Sequence, residues 1–434
     1  MDKMADVLGR AGAWCGQNKY LSAIKNAFQN FMPLTIAGAI GVLWCNVLVN
    51  ESTGLGIFFK PIMALEFLNP AFQAVNFCTI SCITVGITLG IAQEIGVWNM
   101  GAERAGYIPG LVGLAAWLSV TNTSHMVEGA KEAFTGIAGN ELGATGLFTG
   151  MIIGVLSVEL FCFFEKQDAL KIKMPEQVPP GVARAFEVLV PATITLIITA
   201  CIGSACYNLT GLYLNDVIKN GIQGPLGAVG ATIPGVMIIY LVIMLFWLVG
   251  IHGNNMLSAV KEALFTPLAL ENVEKFNKGE KPTNIINMYA LQMWGEFGGS
   301  GVTIGLVIAI MIFGKREDNK AIASLSLVPG LFNINETVTF GIPMVLNPIL
   351  GIPFVVAPLI TIIIGYVLTV IGFCPVACLT VPWTTPPIVF GFLATGANVM
   401  GAVTQAILIV VSTVIYVPFL ISYEKYQNKQ AAEA

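Results

Sequence analysis

Apolar residues in this chain are grouped in long runs that short polar segments separate. A membrane-spanning helix needs roughly 20 mainly apolar residues, because backbone polar groups in lipid must be hydrogen-bonded within the helix. Runs that meet or approach this length lie at 28–49, 74–94, 107–120, 145–164, 188–208, 236–251, 298–313, 347–372 and 402–422. The pattern predicts an all-α polytopic membrane protein with about ten transmembrane helices.

Two further apolar stretches, at 321–344 and 373–397, are interrupted by proline and glycine. Irregular backbone at membrane depth is tolerated only where protein buries it or where it lines a cavity. Interrupted segments of this kind often border a binding site. We therefore expect re-entrant or discontinuous elements around a binding site. The segment 209–233 mixes polar and apolar residues with a helical period, and it predicts an interfacial amphipathic helix.

Composition supports the membrane assignment and excludes several classes of protein. Charged residues make up 11% of the chain, against roughly 25% in a typical soluble protein. No basic run with interleaved aromatic residues occurs, so nucleic acid is not expected as a partner. The sequence contains neither a Walker lysine motif nor a dinucleotide fingerprint nor a His/Cys set with metal-ligand spacing. We therefore expect no cofactor and no metal.

Lysine and arginine near the span ends predict the orientation, because cytoplasmic loops carry an excess of both. The leader before the first span and the tail after the last are basic, so both termini are expected in the cytoplasm. The basic segment 165–187 predicts a hinge between two halves, 1–187 and 188–434. The loops 258–285 and 315–320 are both basic although one clear span separates them. Either the chain turns back within the membrane between them or one loop breaks the charge rule.

Ionisable residues inside apolar segments are costly, which makes each a candidate for function. These residues are Glu94, Glu159, His252, Glu296 and Glu336. His252 opens the sequence IHGNNM at the end of an apolar run, and Asn254 and Asn255 follow it. An imidazole and two carboxamides can donate and accept hydrogen bonds without a fixed charge, which suits a polyhydroxylated ligand. The alternative is a helix C-terminus, where glycine and asparagine are ordinary caps.

Glu336 lies in the sequence NINET, between Asn333, Asn335 and the following FGIPMVLNP. Proline and glycine break the helix on both sides, so a hairpin that carries a buried carboxylate into the membrane is expected. A surface loop of modest hydrophobicity is the alternative.

Trp247 and Trp383 lie near these polar segments. Either indole could stack on the apolar face of a sugar ring. A lone tryptophan in a membrane protein is more often an interfacial anchor, and the sequence does not decide between the two roles.

The ordered set of motifs resembles one known family. IHGNNM, the glycine cluster GGSGVT, and NINET followed by FGIPMVLNP are similar to the membrane IIC component of the bacterial phosphotransferase system. The similarity is to the lactose/cellobiose/diacetylchitobiose branch of the glucose superfamily, and the opening GQNKYLSAIKNAFQNFMPLTIAG resembles that family's first span. Thr337 stands where the family usually has proline, which leaves the carboxylate in place but alters the local backbone.

The resemblance implies a sugar transporter of the bacterial inner membrane. It implies a homodimer built on the N-terminal half, a sugar chamber walled by two re-entrant hairpins in the C-terminal half, and an elevator-type movement. Glu336 and His252 fall on the substrate-contacting and catalytic positions, with Trp247, Trp383, Asn254, Asn255 and Asn333 as weaker substrate-binding candidates. A soluble IIB protein, recharged by IIA, would phosphorylate the 6-hydroxyl of a β-linked disaccharide. The chain shows no phosphocysteine domain of its own, so both partners are expected as separate proteins.

Two other functions stay open at this point. An ion-coupled secondary sugar transporter could use Glu336 or Glu94 as a proton relay. A membrane scaffold that transports nothing would bind no sugar. Which of Glu336 and His252 accepts the hydroxyl proton is also open.

Overall fold

The computed structural model describes residues 10–433 apart from 11–12, 15–16, 52–55, 57–58, 126–133 and 176. The described residues are mainly helical. In chain order the first helices are α1 Lys19–Leu48, α2 Lys60–Ser81, α3 Ile83–Met100, α4 Ala102–Ala105, α5 Ile108–Val120, α6 Gly139–Leu142, α7 Ala144–Glu165, α8 Pro180–Thr210, α9 Leu214–Ile218 and α10 Gly224–Gly230. Between α5 and α6, the strands β1 Ser124–His125 and β2 Phe134–Thr135 pair antiparallel.

The later helices include those that carry the candidate site. They are α11 Ile233–Leu248, α12 Gly253–Met256, α13 Ser258–Asn277, α14 Met288–Gly295, α15 Ile304–Phe313, α16 Glu317–Leu331, α17 Glu336–Gly341, α18 Gly351–Val370, α19 Val389–Ala394 and α20 Val399–Glu433. Each apolar run that predicted a span coincides with a helix or a bent helix pair. Among the described residues, five helices are long and apolar enough to cross a membrane, or up to seven if each bent pair is one span. The predicted all-α polytopic fold is confirmed.

The described chain divides into two compact units. We call residues 17–38 and 75–228 the N-terminal unit, and residues 39–74 and 229–433 with the described part of 10–16 the C-terminal unit. The boundary at residue 228 separates two groups of residues that pack mainly among themselves. The predicted division at 187 into a dimerisation half and a transport half concerns function, and it stays a prediction.

In the N-terminal unit, α3, α5, α7 and α8 pack against one another. Two acidic residues that the sequence marked as costly have partners here. Glu94 accepts a hydrogen bond of 2.9 Å from the Asn26 amide. The Glu159 carboxylate lies 2.6 Å from the Lys19 ammonium group. Because Glu94 is hydrogen-bonded and Glu159 is paired with a lysine, their presence in the apolar helices has a structural explanation.

In the C-terminal unit, α20 packs along α15, α18 and α19. The segments Met288–Val302 and Ile304–Phe313 meet at a bend of 60°. The glycine cluster lies at this bend, where Gly298, Gly299 and Gly301 have φ of 70°, 86° and 79°. A side chain at Gly299 would also place its Cβ 2.7 Å from Asn335. Glycine is therefore required both for the left-handed turn and for the close approach of the NINET segment.

The prediction of a basic loop at 258–285 is wrong. The structure has the 20-residue helix α13 over Ser258–Asn277 where we expected a basic loop. Lys261, which was counted among the cytoplasmic charges, is 6% exposed. A buried, paired lysine says little about which side of the membrane a segment faces, so Lys261 gives no support to a cytoplasmic loop.

Candidate functional site

A cavity of about 600 Å³ lies within the C-terminal unit. The IHGNNM turn, the glycine cluster, the NINET segment and the interrupted stretch 373–397 all contribute to its wall. The lining side chains are largely amides, one imidazole, charged groups and aromatic rings: His252, Asn254, Asn255, Lys261, Gln292, Glu296, Phe297, Gly299, Ser300, Asn333, Ile334, Asn335, Glu336, Trp383, Phe390 and Gln405. Residues as far apart in the sequence as His252 and Gln405 thus meet around one space.

His252 and Glu336 face each other across part of this cavity. His252 Nε2 lies 3.8 Å from Glu336 Oε1, and the two side chains are 36% and 46% exposed. Glu336 is the first residue of α17 and follows Asn335 directly. The expectation of a buried carboxylate is wrong, because the side chain is half exposed. The carboxylate therefore remains open to a ligand.

A second wall of the cavity carries a buried ion pair. Lys261 on α13 contacts Glu296 Oε1, and Tyr240 on α11 donates a hydrogen bond of 2.6 Å to the same oxygen. The Lys261 ammonium group also donates to Asn254 Oδ1 at 3.2 Å, while Asn254 Nδ2 donates to Ser300 Oγ at 2.9 Å. This network fixes the orientation of the Asn254 amide.

Asn333 joins three segments of the wall. Its Nδ2 donates to the main-chain oxygens of Trp383 and Thr385, and its Oδ1 accepts from Gly298 N at 2.6 Å. The residue has φ of 62°, a left-handed conformation that asparagine tolerates better than most residues. Since both amide hydrogens are used internally, Asn333 connects the two interrupted stretches and has at most one lone pair left for a ligand.

The two candidate tryptophans occupy different environments. Trp383 lines the cavity and is 44% exposed. Trp247 is 2% exposed, and its ring packs against the His252 imidazole with centroids 4.5 Å apart. Trp383 can stack on a ligand, whereas Trp247 supports the imidazole from behind.

Sequence reasoning missed several residues of the wall. Gln405 on α20 accepts hydrogen bonds of 2.8 Å from both Ile388 N and Gly391 N, so it holds the start of α19. Gln292 has a buried Oε1 without a partner among the described residues. A lone glutamine in an apolar helix was the available signal in both cases.

Comparison with known proteins shows the family of this chain. The family model "Phosphotransferase system, EIIC" matches residues 25–358. The chain belongs to the EIIC family of the phosphotransferase system. This EIIC is 32% identical to the oligo-beta-mannoside-specific EIIC component of Bacillus subtilis (strain 168), with 98% of this chain and 94% of the relative covered. It is 30% identical to the cellobiose-specific EIIC component of Lactococcus lactis subsp. lactis (strain IL1403), with 98% of both covered.

A solved structure is also similar to this EIIC. The transporter ChbC, the IIC component from the N,N'-diacetylchitobiose-specific phosphotransferase system, superposes with a TM-score of 0.88 at 29% identity, over 97% of each chain. The family resemblance read from the motifs is confirmed, and so is the membrane fold. The chain is therefore a membrane-spanning sugar-transport component. The homodimer, the elevator movement, the orientation of the termini and the roles of the site residues stay predictions.

Proposed function

We propose that this EIIC imports a β-linked disaccharide of the cellobiose, diacetylchitobiose or lactose type and presents its 6-hydroxyl for phosphorylation. The observation that carries the proposal is the cavity with its half-exposed Glu336 and His252 3.8 Å apart. Its volume of about 600 Å³ is within the range of small-ligand sites. Amides for hydroxyl groups and one exposed indole for a ring face suit a sugar. The cellobiose and diacetylchitobiose named for its relatives support the substrate class.

The chemical step needs a base in the cavity. The 6-hydroxyl oxygen attacks the phosphorus of the IIB phosphocysteine, the phosphorus–sulfur bond breaks, and the cysteine leaves as a thiolate. The hydroxyl proton passes to a side chain of this EIIC, for which Glu336 and His252 are the candidates. A positioned base typically contributes 10²–10⁴-fold to such a rate. Together with IIB, the chain would then act as a protein-phosphocysteine–sugar phosphotransferase.

The wider arrangement follows the family. We place IIB and IIA on separate chains, both termini in the cytoplasm, and dimer contacts in the half 1–187. The half 188–434 would carry the sugar across the membrane by an elevator-type movement.

The test uses purified protein in proteoliposomes with labelled cellobiose or diacetylchitobiose. Sugar should appear as its 6-phosphate only when phosphoenolpyruvate, the general phosphotransferase proteins, IIA and IIB are all supplied. Omission of IIB is the matched control. Unmodified sugar that accumulates under a proton or sodium gradient without IIB would instead establish the secondary transporter. Absence of sugar binding across a panel of β-linked disaccharides would leave the scaffold.

A further inference from the structure

The imidazole of His252 has one nitrogen already engaged. The backbone N–H of Asn255 lies 3.2 Å from His252 Nδ1, and it also lies 3.1 Å from His252 O. Such a shared N–H is common at a helix start, and here it opens the short helix α12. In a neutral imidazole one nitrogen donates and the other accepts. A donor that faces Nδ1 makes Nδ1 the acceptor, which leaves the hydrogen on Nε2.

The turn that supplies this donor has little freedom. A Cβ at Gly253 would collide with the backbone of Ile243 on α11, so the turn is pressed against that helix. Met256 N donates to His252 O at 3.2 Å and closes the turn a second time. Trp247 packs on the ring and holds its plane. The position of Asn255 N relative to Nδ1 is therefore set by packing on both sides.

We infer that His252 is held as the neutral tautomer with its hydrogen on Nε2, so that it donates to the substrate hydroxyl oxygen while Glu336 takes the proton. The assignment of the donor and the base rests on the proposed function, whereas the tautomer itself rests on this turn alone. Nε2 and Glu336 Oε1 are 3.8 Å apart, too far for a direct hydrogen bond. One oxygen at about 2.8 Å from each would bridge them.

The charges around the ring do not by themselves select the neutral form, because the Glu336 carboxylate favours a protonated imidazole, so the hydrogen bond at Nδ1 has to decide. The ionisable groups that act on His252 are Glu336, Glu296 and Lys261. Glu296 and Lys261 pair with each other, so their effects on the imidazole largely oppose. Protonation would place an Nδ1–H against the Asn255 N–H, and two donors would then face each other. His252 therefore cannot accept the hydroxyl proton at Nδ1 without disrupting the turn, and its Nε2 already carries a hydrogen.

The decisive measurement is nitrogen NMR of the imidazoles in protein labelled with ¹⁵N-histidine and reconstituted in lipid. The chain has two histidines, so His252→Gln assigns both signals by difference and His125 provides the internal comparison. For His252 we expect a protonated Nε2 and an unprotonated Nδ1 at neutral pH. A proton on Nδ1, or on both nitrogens, would overturn the inference. This readout needs neither sugar nor IIB, so it is decided even if the proposed function fails.

Substitution tests the division of roles. The Gln side chain in His252→Gln can place an amide N–H near the position of Nε2 but cannot take a proton, whereas Asn in His252→Asn reaches only the position of Nδ1. We expect His252→Gln to slow IIB-dependent phosphorylation by no more than about tenfold, the value of one altered hydrogen bond, and His252→Asn to slow it further. If His252→Gln binds sugar normally but loses 10²–10⁴-fold in rate, the loss expected for a missing base, then His252 takes the proton and the inference is wrong.

Discussion

The cavity has two walls that each carry a carboxylate, and the two carboxylates differ in exposure and in their partners. Glu296 is 17% exposed and has Lys261 and the Tyr240 hydroxyl as partners. Glu336 is 46% exposed, and the His252 imidazole lies 3.8 Å from it. One carboxylate is enclosed and satisfied, and the other is open.

This difference indicates which carboxylate has a structural role and which can bind a ligand. A buried charge is tolerated when it is paired and hydrogen-bonded, and once satisfied it has little capacity left for a ligand. The N-terminal unit follows the first pattern, because Glu94 and Glu159 both have partners there. A carboxylate that reaches a cavity without a cation beside it can accept from a substrate. We therefore assign ligand chemistry to the wall of Glu336 and rigidity to the wall of Glu296.

The largest effect is expected for Glu336→Gln. The amide keeps the shape of the side chain and one acceptor oxygen, so sugar should still bind measurably. Phosphorylation should fall by roughly 10²–10⁴-fold, because a base is lost. Glu336→Ala should lose binding as well. Binding and IIB-dependent phosphorylation must be measured on the same preparations.

A matched control lies on the other wall. Glu296→Gln also removes a carboxylate from the cavity, but it should act on stability more than on the chemical step. Normal phosphorylation by Glu336→Gln would mean that Glu336 only positions the ligand. The two walls would then not differ in chemical role.

The next effect concerns the enclosed wall. Lys261→Met leaves Glu296 buried without its cation, which should cost roughly 3–5 kcal/mol of folding free energy. The measurement is the apparent melting temperature of the protein in detergent. The double variant Lys261→Met/Glu296→Gln removes both charges, and it should recover most of the loss. If the single variant melts like the unaltered protein, the pair contributes no rigidity.

Much of the fold could be predicted from the sequence, because each membrane helix is determined by its own stretch of residues. An apolar run of sufficient length forms a helix in lipid whatever lies elsewhere in the chain. The runs at 145–164 and 188–208, for example, coincide with α7 and α8. The two interrupted stretches were also correctly expected at a cavity, since proline and glycine mark the break directly.

The site was only partly predictable, because its contacts are non-local. Lys261 and Glu296 are 35 positions apart, and nothing near Lys261 in the sequence distinguishes it from Lys278, which is exposed at the end of the same helix. Asn333 was a sugar-binding candidate by family resemblance, but its amide is largely used by Gly298 and by the 373–397 stretch. The pairing of Glu336 with His252 came from family resemblance, since residue chemistry alone could not place them together.

The smallest expected effect applies the same contrast, open against enclosed, to the two tryptophans. Trp383 is 44% exposed on the cavity wall, whereas Trp247 is 2% exposed behind His252. Trp383→Ala should therefore lose roughly 1–3 kcal/mol of sugar affinity, the value of a stacked aromatic contact, while the apparent melting temperature changes little. Trp247→Phe is the control, because it keeps a ring against the imidazole and should retain more affinity than Trp383→Ala. Titration of both variants with the same disaccharide measures the difference. Unchanged affinity in Trp383→Ala would mean that this indole is an interfacial anchor. A larger affinity loss in Trp247→Phe would mean that support of His252 matters more to binding than direct stacking.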